Sequence, residues 1–327
     1  MQAMVLTKIG KPLQEQEIDL PVLKANELLV KIAVCGVCRT DLHVFDGELA
    51  DPKLPLILGH EIVGHVEQMG SNVSQFKIGD LIGIPWLGHT CGKCFYCVSK
   101  QENLCDKAEF TGYTRNGGYA QYTAAEENYC FALPNKYDPV SMAPLLCAGL
   151  IGWRSYKLAG NFKRLGMYGF GVAAHILTQI ACHQNKEVYA FTKDGDIKGQ
   201  DFAKKIGAVW AGGSSQTPSI ELDAAIIFAP VGDLVLTALK QLRKGGSIVC
   251  GGIHMSDIPP VPYKYLWGER IIRSVANLTR DDALEFMDIA KKIDLYVEAQ
   301  AYPLAQANQA LSDFKAGKTK GAAVLTV

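Results

Sequence analysis

Four cysteines close together in the chain have the side chains of a metal site. The thiols of Cys91, Cys94 and Cys97 share a tight loop, and Cys105 follows to close it. Tetrahedral Zn²⁺ readily takes four thiolates, and a site with no vacant position is structural. An iron–sulfur cluster also takes four cysteines, but the bacterial ferredoxin run ends with a short gap and a proline that this loop lacks. Unligated buried thiols remain the other alternative, and the spacing favours zinc.

A second group of side chains includes a candidate histidine ligand beside a carboxylate. It combines a thiol, a hydroxyl, two imidazoles and a carboxylate in Cys38, Thr40, His43, His60 and Glu61. A lone cysteine or histidine is more often a packed core residue than a ligand. The residues therefore gain meaning only together, and their types differ from the all-sulfur group that follows them.

A glycine-rich turn later in the chain has the pattern G-x-G-x-x-A, in the run Gly169-Phe170-Gly171-Val172-Ala173-Ala174. It follows a strand candidate and opens a helix candidate, which is the context that a dinucleotide fingerprint requires. The first glycine permits the turn, the second lets the backbone approach a pyrophosphate, and Ala174 keeps helix and strand close. Such turns also occur in other α/β folds, so the pattern alone is a weak signal.

The elements that must position these groups change in character along the chain. Strand candidates at 28–34 and 62–66 are interrupted by glycine and proline, which predicts a β-rich opening third. From about residue 164 strands and helices alternate, which predicts a parallel sheet with right-handed crossovers. The predicted strands are 166–168, 187–191, 222–229 and 247–250, and the predicted helices are 173–183, 201–206, 233–242 and 281–292.

Composition excludes several classes of function. The chain has 327 residues, 33 basic and 33 acidic side chains, and no basic run, so no nucleic-acid partner is expected. No apolar run reaches membrane-spanning length, and the start lacks the pattern of a secretory signal, so no membrane partner is expected. Ten cysteines in such a chain favour metal ligation or catalysis over disulfides. We expect a cytoplasmic protein.

Taken together, the motifs resemble those of the zinc-dependent alcohol dehydrogenases of the medium-chain dehydrogenase/reductase superfamily. The run from Gly59 through Gly64 to Gly70 and Val73 fits that family's zinc signature, and the cysteine loop and the chain order fit as well. The resemblance implies an α/β fold in which a Rossmann doubly wound parallel sheet is inserted in a β-rich GroES-like catalytic domain. It implies a catalytic domain of residues 1–150 and 277–327, and a dinucleotide-binding domain of residues 151–276.

The resemblance also implies a ligand set for an open zinc site. Cys38, His60 and Cys147 would hold the metal and leave one exchangeable position, the arrangement that the family uses for catalysis. Zinc would act as a Lewis acid on the substrate oxygen. Asp41 would orient His60, since metal-bound histidines usually have such a partner. Glu61 would lie beside the zinc.

Proton transfer and the substrate pocket follow from the same resemblance. Thr40 would accept the hydroxyl proton and pass it, through the nicotinamide ribose, to His43 near solvent. An imidazole, which titrates near neutrality, suits that last step. Trp86 and Phe45 would line an apolar pocket, although both could equally be core aromatics. Such a pocket would suit primary alcohols and aldehydes rather than polyols.

The predicted cofactor preference depends on the end of the second strand of the alternating segment. An NAD enzyme usually has an acid there for the ribose hydroxyls, but this chain has Thr192 and Lys193. They could receive the 2′-phosphate of NADP(H), which we therefore expect to be favoured over NAD(H). Asp194, two places late, is the competing ribose ligand. Arg39 and Ile253 would contribute further cofactor contacts.

The implied activity is reversible hydride transfer between a nicotinamide cofactor and a primary alcohol or aldehyde, with two Zn²⁺ per chain. The resemblance also implies a homodimer or homotetramer. A polyol or amino-alcohol dehydrogenase on the same scaffold is the nearest alternative. A non-catalytic zinc-stabilised binding protein and an iron–sulfur electron carrier are alternatives of a different class.

Overall fold

The computed structural model of the protein describes residues 1–134 and 136–327. These residues form two compact units. The first comprises Met1–Leu150 and Asn277–Val327, and the second comprises Ile151–Ala276. Among the described residues, no helix is both long and apolar enough to cross a membrane.

Strands and helices are numbered in chain order. The strands are β1 (Gln2–Leu6), β2 (Gln14–Glu17), β3 (Glu27–Val37), β4 (Leu56–Ile57), β5 (Glu61–Met69), β6 (Leu81–Ile84), β7 (Leu87–His89), β8 (Glu109–Phe110), β9 (Tyr122–Glu126), β10 (Phe131–Ala132), β11 (Arg164–Tyr168), β12 (Glu187–Thr192), β13 (Trp210–Gly213), β14 (Leu222–Ile227), β15 (Leu242–Cys250), β16 (Ile271–Ser274), β17 (Ala299–Pro303) and β18 (Ala322–Thr326). The α-helices are α1 (Arg39–Asp46), α2 (Phe95–Val98), α3 (Pro139–Met142), α4 (Ala148–Leu158), α5 (Val172–His183), α6 (Ile197–Lys205), α7 (Asp233–Gln241), α8 (Tyr263–Leu266), α9 (Arg280–Lys292) and α10 (Ala307–Lys315). Short 3-10 turns lie at Glu102–Leu104, Glu127–Tyr129, Ala143–Leu146 and Leu304–Gln306.

The first unit is built on a sheet with the strand order β10-β6-β5-β3-β18-β17, and β9 also pairs with β3. The long strand β3 is rich in Val, Ile and Leu and is buried along most of its length, as a central strand should be. It pairs antiparallel with β5 in a register that sets Gly36 opposite Glu61. Because Cys38 follows the end of β3 and His60 precedes β5, this pairing brings the two residues together.

The second unit is a six-stranded sheet with the order β13-β12-β11-β14-β15-β16, and every pair in it is parallel. Its inner strands are almost fully buried, as strands covered by helices on both faces should be. This is the doubly wound order that places a ligand at the carboxyl ends of the central strands. The predicted parallel sheet is confirmed.

One strand begins earlier than the sequence pattern predicts. Strand β15 starts at Leu242 rather than at 247, and the register of its pairing with β14 shifts between Leu222 and Ala224. The intervening residues Arg243–Gly246 are charged residues and glycines, so they carry no hydrophobic signal of a strand. The irregular pairing accommodates them.

Candidate metal centres and active site

Helix α1 begins directly after strand β3 and presents Cys38, the first thiol of the predicted open zinc site. Cys38 is the N-cap residue of this helix, with extended backbone angles. Its backbone N–H donates to Oδ2 of Asp41 over 2.8 Å, which closes the first turn of the helix. The thiol is therefore fixed at the point where the strand becomes a helix.

Asp41 links the two segments that carry Cys38 and His60. Its Oδ1 accepts the backbone N–H of Gly59 over 3.1 Å and lies 3.2 Å from Nδ1 of His60. The Asp41 and His60 side chains are wholly buried. A carboxylate in this position selects the tautomer with the proton on Nδ1, so Nε2 presents its lone pair.

The structure brings together the predicted ligands Cys38, His60 and Cys147, with Glu61 beside them. One ligand atom from each of these four residues lies within 4.8 Å of every other. The two sulfur atoms are 3.4 Å apart. In the part of the chain that the structure describes, Nε2 of His60 is buried and has no hydrogen-bond partner. A buried nitrogen without a partner among thiols needs an explanation, and a metal ion is one that fits these donors.

The electrostatics of this group favour a cation. The hydrogen bond from the Cys147 thiol holds the pKa of Cys38 well below its usual range, although burial opposes the shift. Burial alone would lower the pKa of His60, but the charges of Asp41 and Cys38 raise it. Burial raises the pKa of Glu61, and the nearby Cys38 thiolate adds to this. The negative charges of Asp41 and of the Cys38 thiolate thus act on the other titratable groups of the cluster, and a divalent cation would neutralise them.

Aromatic rings form one wall beside the predicted ligands. The ring of Trp86 meets the His60 imidazole edge-on with a centroid separation of 4.9 Å. Phe110 and Tyr113 stack on Trp86 at 5.3 and 5.7 Å. Phe45 is half-buried and packs against the core of the first unit. The structure therefore places Trp86 against a ligand, while Phe45 serves at least as a packing residue.

The two predicted proton-transfer groups lie on α1. Oγ1 of Thr40 is 3.8 Å from Sγ of Cys38, so the hydroxyl stands beside the predicted metal position. His43 is buried and its Nδ1 is bonded to the carboxylate of Glu48. Sequence reasoning missed Glu48, because a lone acid in a polar loop carries no signal without the turn that folds it back.

The four-cysteine loop is a compact sulfur cluster around α2. Sγ of Cys97 lies 3.5 Å from Sγ of Cys94 and 4.0 Å from Sγ of Cys91. The Cys105 sulfur accepts the backbone N–H of Cys91 over 3.4 Å. Backbone N–H groups of Lys93 and Cys94 lower the pKa of Cys91 to about 6. Such N–H contacts stabilise thiolates, the form that binds metal.

The same loop is joined to helix α9 by Glu102, a residue that belongs to none of the sequence motifs. Glu102 is buried, and its Oε1 accepts the backbone N–H of Arg280 over 2.9 Å. The Arg280 guanidinium also lies over the ring of Tyr129 at 5.5 Å. Glu102 lies between two of the clustered cysteines, so its bond to Arg280 joins the loop to the start of α9.

The glycine turn of the second unit connects β11 to α5. Gly169 has φ +87°, and a Cβ atom there would lie 2.6 Å from the backbone nitrogen of Ala229, so only glycine fits. A Cβ atom built on Gly171 would meet no protein atom within 4 Å. Val172 starts α5, and Ala174 is fully buried. The turn leaves open space at the N-terminus of α5, as a phosphate site requires.

The end of β12 differs in detail from its prediction. Thr192 is buried, its hydroxyl lies 3.0 Å from the Lys193 carbonyl, and it accepts the Gln200 amide over 3.1 Å. Lys193 is exposed. Oδ1 of Asp194 accepts the backbone N–H of Ser215 over 3.1 Å. Thr192 and Asp194 are thus engaged in local bonds, and the charged side chains of Lys193 and Asp194 are both exposed.

Two further predicted cofactor contacts lie in separate parts of the chain. Arg39 begins α1, and its guanidinium lies over the ring of Phe314 at 5.5 Å. Ile253 follows β15 in the second unit and is 55% exposed. An exposed isoleucine on a loop is available to a ligand, and the contact of Ile253 with the cofactor stays a prediction.

Comparisons with known proteins agree with this architecture. Residues 24–135 match the family model of the alcohol dehydrogenase GroES-like domain. A probable alcohol dehydrogenase of Mycobacterium tuberculosis is 45% identical over 97% of this chain and 93% of its own. An alcohol dehydrogenase of Geobacillus stearothermophilus is 35% identical over the full length of both chains.

A solved structure extends the likeness to the fold. The alcohol dehydrogenase of the archaeon Aeropyrum pernix superposes with a TM-score of 0.88 at 25% identity, over 100% of both chains. The β-rich unit is GroES-like and the parallel sheet is a Rossmann domain, as predicted. The fold and the relatives together define an oxidoreductase. The chain belongs to the alcohol dehydrogenases of the medium-chain dehydrogenase/reductase superfamily.

Proposed function

We propose that this alcohol dehydrogenase depends on zinc and on a nicotinamide dinucleotide, and that it interconverts primary alcohols and aldehydes. The observation that carries the proposal is the cluster of Cys38, His60 and Cys147, in which the buried Nε2 of His60 has no hydrogen-bond partner among the described residues. Two sulfurs and one imidazole are donors that suit zinc, and three protein ligands leave a position for substrate.

Each residue of the proposed open zinc site would have its own role. Cys38, His60 and Cys147 would hold the zinc, and Asp41 would keep the His60 ring oriented through Nδ1. When bound, zinc supplies a Lewis acid for the substrate oxygen. Glu61, whose pKa burial raises, offers an additional carboxylate beside the thiols.

Thr40 and His43 would remove the proton that alcohol oxidation releases. Oγ1 of Thr40 lies beside Sγ of Cys38 and would accept the substrate hydroxyl proton while giving up its own. His43, on the same helix, would take the proton on its way to solvent. An imidazole suits this step because it gains and loses a proton near neutral pH.

The four-cysteine loop would hold a second zinc with a structural role. Four thiolates leave no vacant position, so this metal would support the fold rather than the reaction. The bond between Glu102 and Arg280 supports this role, because it makes helix α9 depend on the loop.

The turn at Gly169 would bind the pyrophosphate of the cofactor, and Arg39 and Ile253 would contribute further contacts. NADP(H) would be favoured over NAD(H), because no acid ends β12 and Lys193 is exposed there. With the Thr192 hydroxyl engaged locally, Lys193 carries the attraction for the 2′-phosphate. Specificity then comes from an added charge and from the absence of a repelling one.

The substrate side of the proposal is apolar. Trp86 lies against His60 and is backed by two further aromatic rings, so an unbranched or aromatic primary alcohol would meet a hydrophobic wall. A polyol would instead need polar groups to replace its lost hydration. Phe45 is the second proposed pocket residue.

The proposal includes a compartment and an assembly. All ten cysteines lie outside any disulfide, which favours a reducing compartment such as the cytoplasm. The family resemblance supports a homodimer or homotetramer.

A spectrophotometric screen tests the proposed function. Zinc-loaded protein is given primary alcohols, polyols, amino alcohols and aldehydes, each with NAD(H) and with NADP(H). We expect turnover of primary alcohols and aldehydes and weak or no turnover of polyols. A preference for polyols or amino alcohols would replace the proposed substrate class. Turnover that persists after complete zinc removal would contradict the proposed metal dependence.

A further inference from the structure

Two bonds join His43 to Glu48 at the end of helix α1. The backbone N–H of Glu48 donates to the carbonyl of His43 over 2.9 Å, and the Glu48 carboxylate is bonded to Nδ1 of the ring. Gly47 makes this return possible. It lies in the left-handed region with φ 78° and ψ 24°, and its N–H donates to the carbonyl of Val44. This is a Schellman turn, which folds the residue after the glycine back over the last helical turn.

The glycine of this turn cannot be replaced easily. A Cβ atom on Gly47 would lie 2.7 Å from Cγ2 of Ile9, in addition to the cost of the positive φ. The position of Glu48 is therefore fixed by the backbone rather than by the flexible reach of a surface side chain. The Glu48 carboxylate is therefore held in place by the turn that ends α1.

Burial differs sharply between the two partners. The side chain of His43 is 11% exposed, and that of Glu48 is 47% exposed. The carboxylate thus lies between a buried imidazole and water. It can accept a bond from the ring while keeping much of its hydration, so the desolvation cost of the pair is small.

Other charged groups near α1 are bonded to partners other than the His43 ring. Helix α10 packs against α1, and there Nζ of Lys315 lies 2.7 Å from the Asp46 carboxylate. The Arg39 guanidinium lies over the ring of Phe314, which also belongs to α10. Asp41 is bonded to Cys38, Gly59 and His60. Glu48 is the carboxylate bonded to the His43 ring.

We propose that Glu48 is a positioning residue for proton transfer by His43, an inference that rests on the proposed role of His43. A carboxylate that accepts from Nδ1 holds the ring proton there and leaves the lone pair on Nε2. The incoming proton forms a bond to Nε2 while the N–H bond at Nδ1 stays intact. The imidazolium so formed faces the Glu48 carboxylate, and the same proton then leaves Nε2 for water or buffer.

Three substitutions test this assignment. Glu48→Gln keeps a hydrogen-bond acceptor but removes the counter-charge, and Glu48→Ala removes both. Asp46→Asn is the matched control, because it removes the same charge from the same helix end without touching the His43 ring. The rate of alcohol oxidation should fall ~3–30-fold in Glu48→Gln and further in Glu48→Ala, below the ~10²–10⁴-fold of a general base. KM and zinc content should stay unchanged, and Asp46→Asn should stay within about twofold of wild type.

Two measurements separate this role from a merely structural one. In ¹⁵N spectra of histidine-labelled protein, His43 should carry its proton on Nδ1 in wild type and Glu48→Gln, and lose that preference in Glu48→Ala. Added formate should restore part of the rate of Glu48→Ala, because the small carboxylate can occupy the vacated space. Because rescue compares one folded variant with itself, a change in stability cannot imitate it.

His43→Gln makes the outcomes distinguishable. Suppose that His43→Gln is slow but Glu48→Gln turns over alcohol as fast as Asp46→Asn, or that formate does not rescue Glu48→Ala. Either result would overturn the role of Glu48 and leave the role of His43 standing. A His43→Gln enzyme as fast as wild type would overturn the proposed role of His43 and the inference with it. The proposal predicts slow turnover in His43→Gln and Glu48→Gln, formate rescue of Glu48→Ala, and a wild-type rate in the Asp46→Asn control.

Discussion

The Oδ1 atom of Asp41 lies 3.2 Å from Nδ1 of His60, and both side chains are wholly buried. The same carboxylate receives the backbone N–H groups of Cys38 and Gly59. One acid thus orients a ligand ring and joins the two chain segments that supply the first two metal ligands. A buried carboxylate with three such bonds and an adjacent cation would be fully compensated.

Replacing this acid by its amide should therefore loosen the metal. In Asp41→Asn the amide NH₂ group would face an N–H group, and the negative charge behind His60 would be lost. We expect zinc affinity at the open site to fall ~10–100-fold and the free energy of unfolding to fall by about 1–3 kcal/mol. Chelator competition and chemical denaturation measure the two effects. Asp41→Asn protein that retains zinc as tightly as the Asp46→Asn control would refute this role.

The four-cysteine loop should matter to stability more than to chemistry. A closed metal site forms only in the folded state, so Cys94→Ser should lose one zinc and lower the melting temperature by about 5 °C or more. The loss should extend to helix α9, which Glu102 ties to the loop. Hydrogen exchange of the α9 backbone amides measures this loss. Cys182→Ser is the control, because that thiol lies outside both cysteine groups. Unchanged melting and exchange in Cys94→Ser would argue against a structural site.

Much of the site was predictable because its signals are local. The cysteine spacing, the His60-Glu61 pair and the Gly169 turn are each contained in a short run of sequence, and the alternation of strands and helices predicted the parallel sheet. The meeting of Cys38 with His60 was implied only by the resemblance, and the pairing of β3 with β5 that produces it was not predicted. Register between strands distant in sequence depends on packing that no short run encodes.

The hydrogen-bond partners of individual side chains could not be predicted from the sequence. Thr192 was predicted to face a 2′-phosphate, but it is buried and bonded to the Gln200 amide from helix α6. Glu48 gave no signal because its partner is defined by the left-handed turn at Gly47. In both cases the direction of a side chain decided the contact, and a short run of sequence does not encode that direction.

Cofactor choice should depend on Lys193. Wild-type enzyme should have a higher kcat/KM with NADP(H) than with NAD(H), and this preference should weaken as salt screens the contact. Lys193→Glu should reverse the preference by roughly tenfold, since it removes one attraction and adds a repulsion. Lys186→Glu makes the same charge change just before the other end of β12 and should have little effect. If wild-type enzyme works equally well or better with NAD(H), Asp194 becomes the candidate ribose ligand.

Acid should destabilise the second unit through His175. Burial lowers the pKa of this imidazole to about 4, although its bond to the Phe170 carbonyl opposes the shift. Above the ordinary value of 6.5 both states are neutral. As pH falls from there towards 4, the unfolded chain binds a proton that the folded chain does not, so stability declines.

The substitution His175→Gln should remove that decline. Between pH 6.5 and 4 the variant should lose roughly 3 kcal/mol less unfolding free energy than wild type. Denaturant titrations of cofactor-free protein at several pH values measure the difference, with His183→Gln at the other end of α5 as control. Parallel pH dependence in His175→Gln and wild type would show that His175 is protonated as easily in the folded state as in the unfolded one.

Zinc content measured together with activity tests the central claim most directly. Fully active wild-type protein should contain two zinc ions per chain, in line with its two groups of ligands. His60→Ala should retain one zinc and its fold but have less than about 1% of the wild-type rate of alcohol oxidation, because the Lewis acid is lost. Full activity with a single zinc per chain, or a His60→Ala enzyme that turns over alcohol at a comparable rate, would contradict an open zinc centre at Cys38, His60 and Cys147.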